Sequence, residues 1–257
     1  MASTRTLSVF TTILLITGLG ALVTIAQTGY GGSLQTPSDV ILHSVCGDTT
    51  SGLLLAVGTD GKNGVIYRIT SLDTSDPSYM VLLQNSTPSS GYDNLGFYAC
   101  EVVDNYLFVV GEVEKKEPRT TQIHGYVVIY SINANGTLTY LYYKVKGSGT
   151  SSVYSYKDIE VRKIGDRYYM YMLSILGSNV HFHYAVFIPP NQVEGDTVYV
   201  NLTCSGCNGY EISLYGDYLG VLYRDSSNNL NLTIYDVTNG VPTTLQSVTL
   251  VSGRNVY

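Results

Sequence analysis

The chain has 257 residues, long enough to bury a substantial core in one domain or two small ones. Hydrophobic residues make up 44% and charged residues 13%, which excludes a disordered chain; 14 Lys and Arg against 20 Asp and Glu give a net charge of −6, which excludes a protein that holds nucleic acid by phosphate neutralisation. There are 24 Tyr, 5 Phe and no Trp, a composition that favours strands.

Residues 1–26 come first in the chain. Arg5 is the only charge before Asp39, and the run Leu7–Ile25 is apolar but diluted by Thr, Ser and Gly. Thr24-Ile25-Ala26 is a small-x-small site, so the preferred reading is a signal peptide cleaved after Ala26, with an extracellular domain over 27–257. Residues 7–26 are also close to the length that spans a bilayer, so a membrane tether or a retained, pilin-like N-terminal helix is the alternative. Four N-x-S/T sequons, at Asn85, Asn135, Asn201 and Asn231, and an even count of four Cys agree with an exported protein. A surface built on Tyr, Ser, Thr and Asn changes little with pH and suits an acidic or hot extracellular setting of the archaeal kind.

From residue 39 onward, strand-like runs alternate with Gly, Asn, Asp and Ser turns, without helical periodicity. The same order of four short strands recurs in units of about 39–90, 91–150, 151–207 and 208–257. The runs are 39–46, 53–64 with its closing turn, 65–70 and 79–84, then 95–103, 106–113, 126–133 and 137–145. They continue with 157–164, 168–175, 181–188 and 197–203, and end with 210–215, 218–224, 230–237 and 245–251. An aromatic anchors the third strand of each: Tyr67, Tyr130, Phe187 and Tyr235, spaced 63, 57 and 48 residues apart. Four-stranded units at this period indicate a small or incomplete β-propeller; a β-sandwich is the alternative fold.

Tyr106-Leu-Phe-Val-Val-Gly, followed by Tyr126-Val-Val-Ile-Tyr-Ser-Ile-Asn-Ala-Asn-Gly-Thr-Leu-Thr, resembles a blade of the lactonase-like, YVTN-type propellers. The resemblance is best over 106–145 and looser in the other units. Members of that family close with about seven blades and include lactonases and scaffolds without activity, so the resemblance implies a propeller and assigns no catalytic residue.

The candidate sites are few. Cys204-Ser-Gly-Cys207 reads as a local disulfide, and Cys46 and Cys100, at the ends of the first strands of two successive units, form the other expected pair. His181 and His183 share a strand face and are weak metal candidates, with surface or groove histidines as the alternative. Asp39, Glu101, Asp158, Glu160 and Glu211 lie on or beside first strands, where a propeller lines its axis, and two of them could serve a hydrolase. Asp60-Gly-Lys-Asn-Gly64 reads as a hairpin turn, and there is no G-x-S-x-G, P-loop, H-E-x-x-H or Ca²⁺ loop. The expectation is therefore an exported binding or assembly protein without catalytic activity and without a cofactor. It would engage an extracellular protein or polysaccharide, or itself, and no nucleic acid. The alternatives are a secreted propeller hydrolase, lactonase or glycosidase, and a filament subunit that keeps its N-terminal helix.

Overall fold

The computed structural model describes residues 39–48, 52–71, 79–118, 120–147, 154–177, 179–202 and 211–252, with only the backbone of 196–202. The signal or anchor segment 1–26, and Cys204 and Cys207, lie outside these residues. Everything described is β-structure and turn. Sheet 1 contains β1 (Ile41–Asp48), β2 (Leu53–Thr59), β3 (Gly64–Ile69) and β4 (Met80–Ser86). Sheet 2 contains β5 (Asn94–Val103), β6 (Tyr106–Glu117), β7 (Thr120–Ile132) and β8 (Leu138–Lys146). Sheet 3 contains β9 (Tyr154–Ile164), β10 (Arg167–Leu176), β11 (Asn179–Ile188) and β12 (Gln192–Leu202). Sheet 4 contains β13 (Glu211–Tyr215), β14 (Tyr218–Arg224), β15 (Leu230–Asp236) and β16 (Thr243–Val251).

Each sheet is an antiparallel meander with its strands in chain order, the arrangement of propeller blades and not of a sandwich, whose sheets exchange strands. Short turns set the registers. Asp104-Asn105, Gly165-Asp166 and Gly216-Asp217 close two-residue hairpins, with positive φ at Asp104 (54°), Gly165 (62°) and Gly216 (59°). The expected turn at 60–64 is tied by the Asp60 carboxylate, which accepts from the backbone N–H of Lys62 (2.9 Å) and Asn63 (2.7 Å). Sheet 4 repeats the device: Asp225 accepts from the N–H of Ser227 (2.9 Å) and Asn229 (3.0 Å).

The first strands are innermost and lie side by side, β1 against β5, β5 against β9 and β9 against β13. Each sheet therefore has a leading face, toward the next sheet, and a trailing face, toward the one before. Three apolar layers result. Leu55 and Val57 of sheet 1 meet Phe97 and Val109 of sheet 2; Phe108 and Ile129 meet Ile159 and Met172; Leu173 meets Ile212 and Val221. Substantial packing runs from sheet 1 to sheet 4, and none of comparable extent joins sheet 4 back to sheet 1 among the described residues.

Two bulges recur from blade to blade. In the inner strands one residue is left unpaired: His43 in β1, Tyr98 in β5 and Lys157 in β9. Opposite the first two stand Gly58 and Gly111, where a methyl group would collide with the carbonyl oxygens of Ile41 and Gly96. In the outer strands the unpaired residue is Leu83, Leu141 or Leu245, directly beside the third-strand anchors Tyr67, Tyr130 and Tyr235. These three anchors are thereby equivalent, and all lie on trailing faces. Phe187 shares the face and sits opposite the second residue of its neighbouring strand, as Tyr130 and Tyr235 do, but β12 carries its bulges elsewhere.

Cys46 and Cys100 form a disulfide that staples sheet 1 to sheet 2 at the axis, closing a sequence separation of 54 residues. Loop entropy for that span corresponds to about 4 kcal/mol. The Cys46→Ala/Cys100→Ala variant is expected to lose stability of that order in urea denaturation, and Gly111→Ala to lose about 2 kcal/mol or more by forcing the inner bulge apart. Wild-type stability in either variant would show that these features do not hold the blades.

Candidate functional site

The inner strands bring together four carboxyls that the sequence scatters over 111 positions, Glu101, Asp158, Glu160 and Glu211. Glu101 and Glu160 occupy the same place in successive blades, each three residues beyond the inner bulge, and both project from leading faces. Asp158 accepts from the backbone N–H of Ile212 (2.9 Å) across the blade boundary, and from Ile159 (2.9 Å) on its own strand. Glu160 accepts from the N–H of Leu214. These two acids thus satisfy donors on the inner edge of β13, which has no strand neighbour on that side. Asp39 precedes β1 at an exposed position and is no partner of this group.

The electrostatics of the cluster are those of crowded, desolvated acids. Burial raises the pKa of Glu160 to about 9, with the charges of Glu101, Asp158 and Glu211 adding to it against the Leu214 hydrogen bond. Burial and Asp158 raise Glu101 to about 7. Burial raises Asp158 to about 6, opposed by its two backbone donors. No cation of β9 relieves this. Lys157 pairs with Glu112 (3.2 Å), Lys163 with Asp104 (2.7 Å), and Arg162 with Asp217 and the carbonyl of Gly216.

Beside the acids, the three bulged residues form one network across three blades. The Lys157 ammonium stands 3.6 Å from the Tyr98 ring centroid, and the His43 ring lies 4.8 Å from the same ring. Tyr98 donates its hydroxyl to Glu112 (2.7 Å), the carboxylate that also holds Lys157. Burial raises the Tyr98 pKa, and burial followed by Lys157 lowers that of His43. Sequence reading passed over this network. Its available signal was the Val-Gly pair at 57–58 and again at 110–111, since glycine inside a strand marks a bulge or a close backbone approach.

The remaining candidates fall elsewhere. His181 and His183 are neither surface nor groove residues. They are 7% and 0% exposed beneath sheet 2, and His183 Nε2 bonds the hydroxyls of Ser174 (2.8 Å) and Tyr154 (3.0 Å). Burial lowers the His181 pKa, with Lys146 adding to it. Among the described residues no three His, Cys, Asp or Glu side chains are placed to hold a metal. Asn85 and Asn135 are exposed on β4 and on the β7–β8 turn. Asn201 lies on β12, with only its backbone described. Asn231 is buried, with its amide nitrogen bonded to Asp225 (2.9 Å) and the carbonyl of Asn229 (3.2 Å), so a glycan there would displace those bonds. No helix among the described residues is long and apolar enough to cross a membrane.

The cluster makes stability depend on pH. In the unfolded chain these carboxyls titrate near their ordinary values of about 4, so between there and the raised folded values the native state binds more protons. Their contribution is complete in acid and is lost as pH rises through about 6, 7 and 9. Asp104, held low by Lys163 and Tyr168, acts in the opposite sense and loses its contribution below its ordinary pKa. The melting temperature is expected to peak near pH 5 and fall toward pH 9, and Glu160→Gln to flatten that fall. A melting temperature that rises from pH 5 to pH 9 would contradict the coupling.

No family model matches the chain, and no curated protein matches it in sequence. Solved structures do match. A Trypanosoma rangeli sialidase in complex with sialic acid superposes with a TM-score of 0.52 at 11% identity, over 80% of this chain and 37% of the sialidase. A mutant of the same sialidase displaying trans-sialidase activity gives 0.51 at 10% identity, over 84% of this chain and 38% of that one. The chain thus spans little more than a third of these structures. The likeness establishes the propeller fold and gives no support to a lactonase-like, YVTN-type family. The expectation of a binding or assembly protein without catalytic activity is corrected: the structures that superpose on this chain are a sialidase and its trans-sialidase mutant, and the inner-strand acids Glu101, Asp158 and Glu160 couple to one another, which fits the hydrolase alternative better.

Proposed function

We propose that this chain carries the active site of an exported propeller glycoside hydrolase. The observation that carries the reading is the shared burial of Glu101, Asp158 and Glu160 on inner strands of neighbouring blades, where desolvation first, and then neighbouring carboxylate charge, leaves the three with different proton affinities. Glycoside hydrolysis needs one carboxyl that keeps its proton and one that has lost it. Glu160, pushed up to about 9, is protonated at neutral pH and is the general acid that donates to the leaving-group oxygen. Asp158, held ionised by the N–H groups of Ile212 and Ile159, is the anionic partner that stabilises positive charge at the anomeric carbon or activates water. Glu101, near 7, adds its charge to the burial that raises the proton affinity of Glu160.

The charge of the site bears on the substrate. The cations of β9 are occupied by acids outside the cluster. A sugar carboxylate would face four acids here, so the reading favours a neutral glycoside over the sialic acid bound by the Trypanosoma enzyme.

Turnover of neutral aryl glycosides is the measurement, with an aryl sialoside and a lactone as comparison substrates. Glu160→Gln and Asp158→Asn are each expected to lower kcat by about 10²- to 10⁴-fold with unchanged circular dichroism. The wild-type rate should pass through a maximum between the apparent pKa values of the coupled acids, about 6 and about 9. No turnover on any glycoside, or turnover that survives both substitutions, would overturn the assignment.

A further inference from the structure

Three sequons lie wholly among the described residues: Asn85-Ser-Thr87, Asn135-Gly-Thr137 and Asn231-Leu-Thr233. Each ends in Thr and none has Pro in the middle, so what separates them as acceptors of a glycan is the fold.

Two of the three have already spent the amide nitrogen that would carry the sugar. Asn231 is 9% exposed on β15, which pairs with strands on both sides. Its nitrogen donates to the Asp225 carboxylate (2.9 Å) and to the carbonyl of Asn229 (3.2 Å), and its oxygen accepts from the Thr249 hydroxyl (2.7 Å). Thr233 is buried as well, its hydroxyl against that of Ser247 (3.0 Å). Asn85 is exposed, but it stands in extended β4 and donates its amide N–H to the Asp60 carboxylate.

Asn135 differs on each count. It is exposed in the hairpin turn between β7 and β8, where Gly136 turns the chain with a φ of 78°. Asn135 Oδ1 accepts from the backbone N–H (3.1 Å) and from the hydroxyl (2.7 Å) of Thr137, so the two side chains that define the sequon lie together on the outside of the turn. The turn is fixed by other groups. The Asn133 carbonyl accepts from the N–H of Gly136 (2.8 Å), and its side-chain nitrogen donates to the hydroxyls of Thr137 (2.9 Å) and Thr139 (3.0 Å). Asn135 Nδ2 itself bonds to none of the described residues. A glycan on that nitrogen breaks none of these bonds and projects into solvent.

We propose that Asn135 is the N-glycosylation site of the folded protein, taking an oligosaccharide from a lipid-phosphate donor, while Asn85 and Asn231 stay bare. In the transfer the bond from Nδ2 to the sugar C1 forms as the bond from C1 to the lipid phosphate oxygen breaks. The nitrogen gives one proton to a base of the transferase, and the lipid phosphate leaves as the anion. The inference rests on the export part of the reading above and not on hydrolysis.

The folded full chain, incubated with a purified oligosaccharyltransferase and its lipid-linked oligosaccharide, tests this when mass spectrometry reads each asparagine separately. Short peptides carrying the same three sequons, free of the fold, are the reference. All three peptides are expected to accept sugar. In the folded chain Asn135 should still accept it, whereas occupancy at Asn85 and Asn231 should fall about tenfold or more below that of their peptides. Thr137→Ala should abolish transfer to Asn135 and Thr137→Ser should retain it, with circular dichroism unchanged in both. A folded chain that stays bare at Asn135 while its peptide is modified would overturn the proposal. So would occupancy of Asn85 or Asn231 equal to that of Asn135. Turnover of glycosides enters neither result, so failure here and failure of the hydrolase assignment are told apart.

Discussion

A propeller blade has two apolar faces and cannot bury either alone. Everything else in this protein follows from that constraint. Sheets 2 and 3 each lie between two others, hydrophobic residues project from both faces of the strands, and the three core layers are interfaces between blades and not the interior of any one of them. The Cys46–Cys100 bond and the Lys157–Tyr98–His43 contacts add cross-links at the axis, where the blades are closest and side chains from three sheets can meet.

The inner edge imposes a second requirement. An innermost strand pairs on one side only, so N–H groups on its other edge need acceptors. Asp158 and Glu160 meet that need for β13, and in doing so are drawn out of water toward Glu101 and Glu211. The same placement that satisfies the backbone raises the proton affinity of the acids. A site able to hold and release a proton near neutrality thus arises from the way one blade is fastened to the next.

Bulges convert a repetitive sheet into a directed one. In a regular strand, residues three apart point to opposite faces. The unpaired Tyr98 and Lys157 change that parity and turn Glu101 and Glu160 toward the following blade. On the outer strands the same change lets Leu83 and Leu141 fill the gap where diverging blades would leave a void. Gly58 and Gly111 permit the inner bulges because a side chain there would meet carbonyl oxygen.

Much of this was written in the chain. Strands alternating with turns, the turns at 60–64, 104–105 and 216–217, the four units, the Cys46–Cys100 pair and the aromatic anchors are all local patterns or follow from the repeat, and short apolar runs such as Leu107–Val110 mark strands buried on both faces. The acids could be placed on first strands, but not against each other, because whether Glu101 feels Asp158 depends on bulge parity and on blade spacing. Sequence likewise put His181 and His183 on one face without showing that sheet 2 covers it, and Asn231 in a sequon without showing its amide already bonded. The sequence by itself determined the strands, their order and the propeller class, since these rest on neighbours along the chain. Only the tertiary structure decided the shared electrostatics of the acids and the burial of His181 and His183, since burial and proximity are properties of strands brought together from different blades.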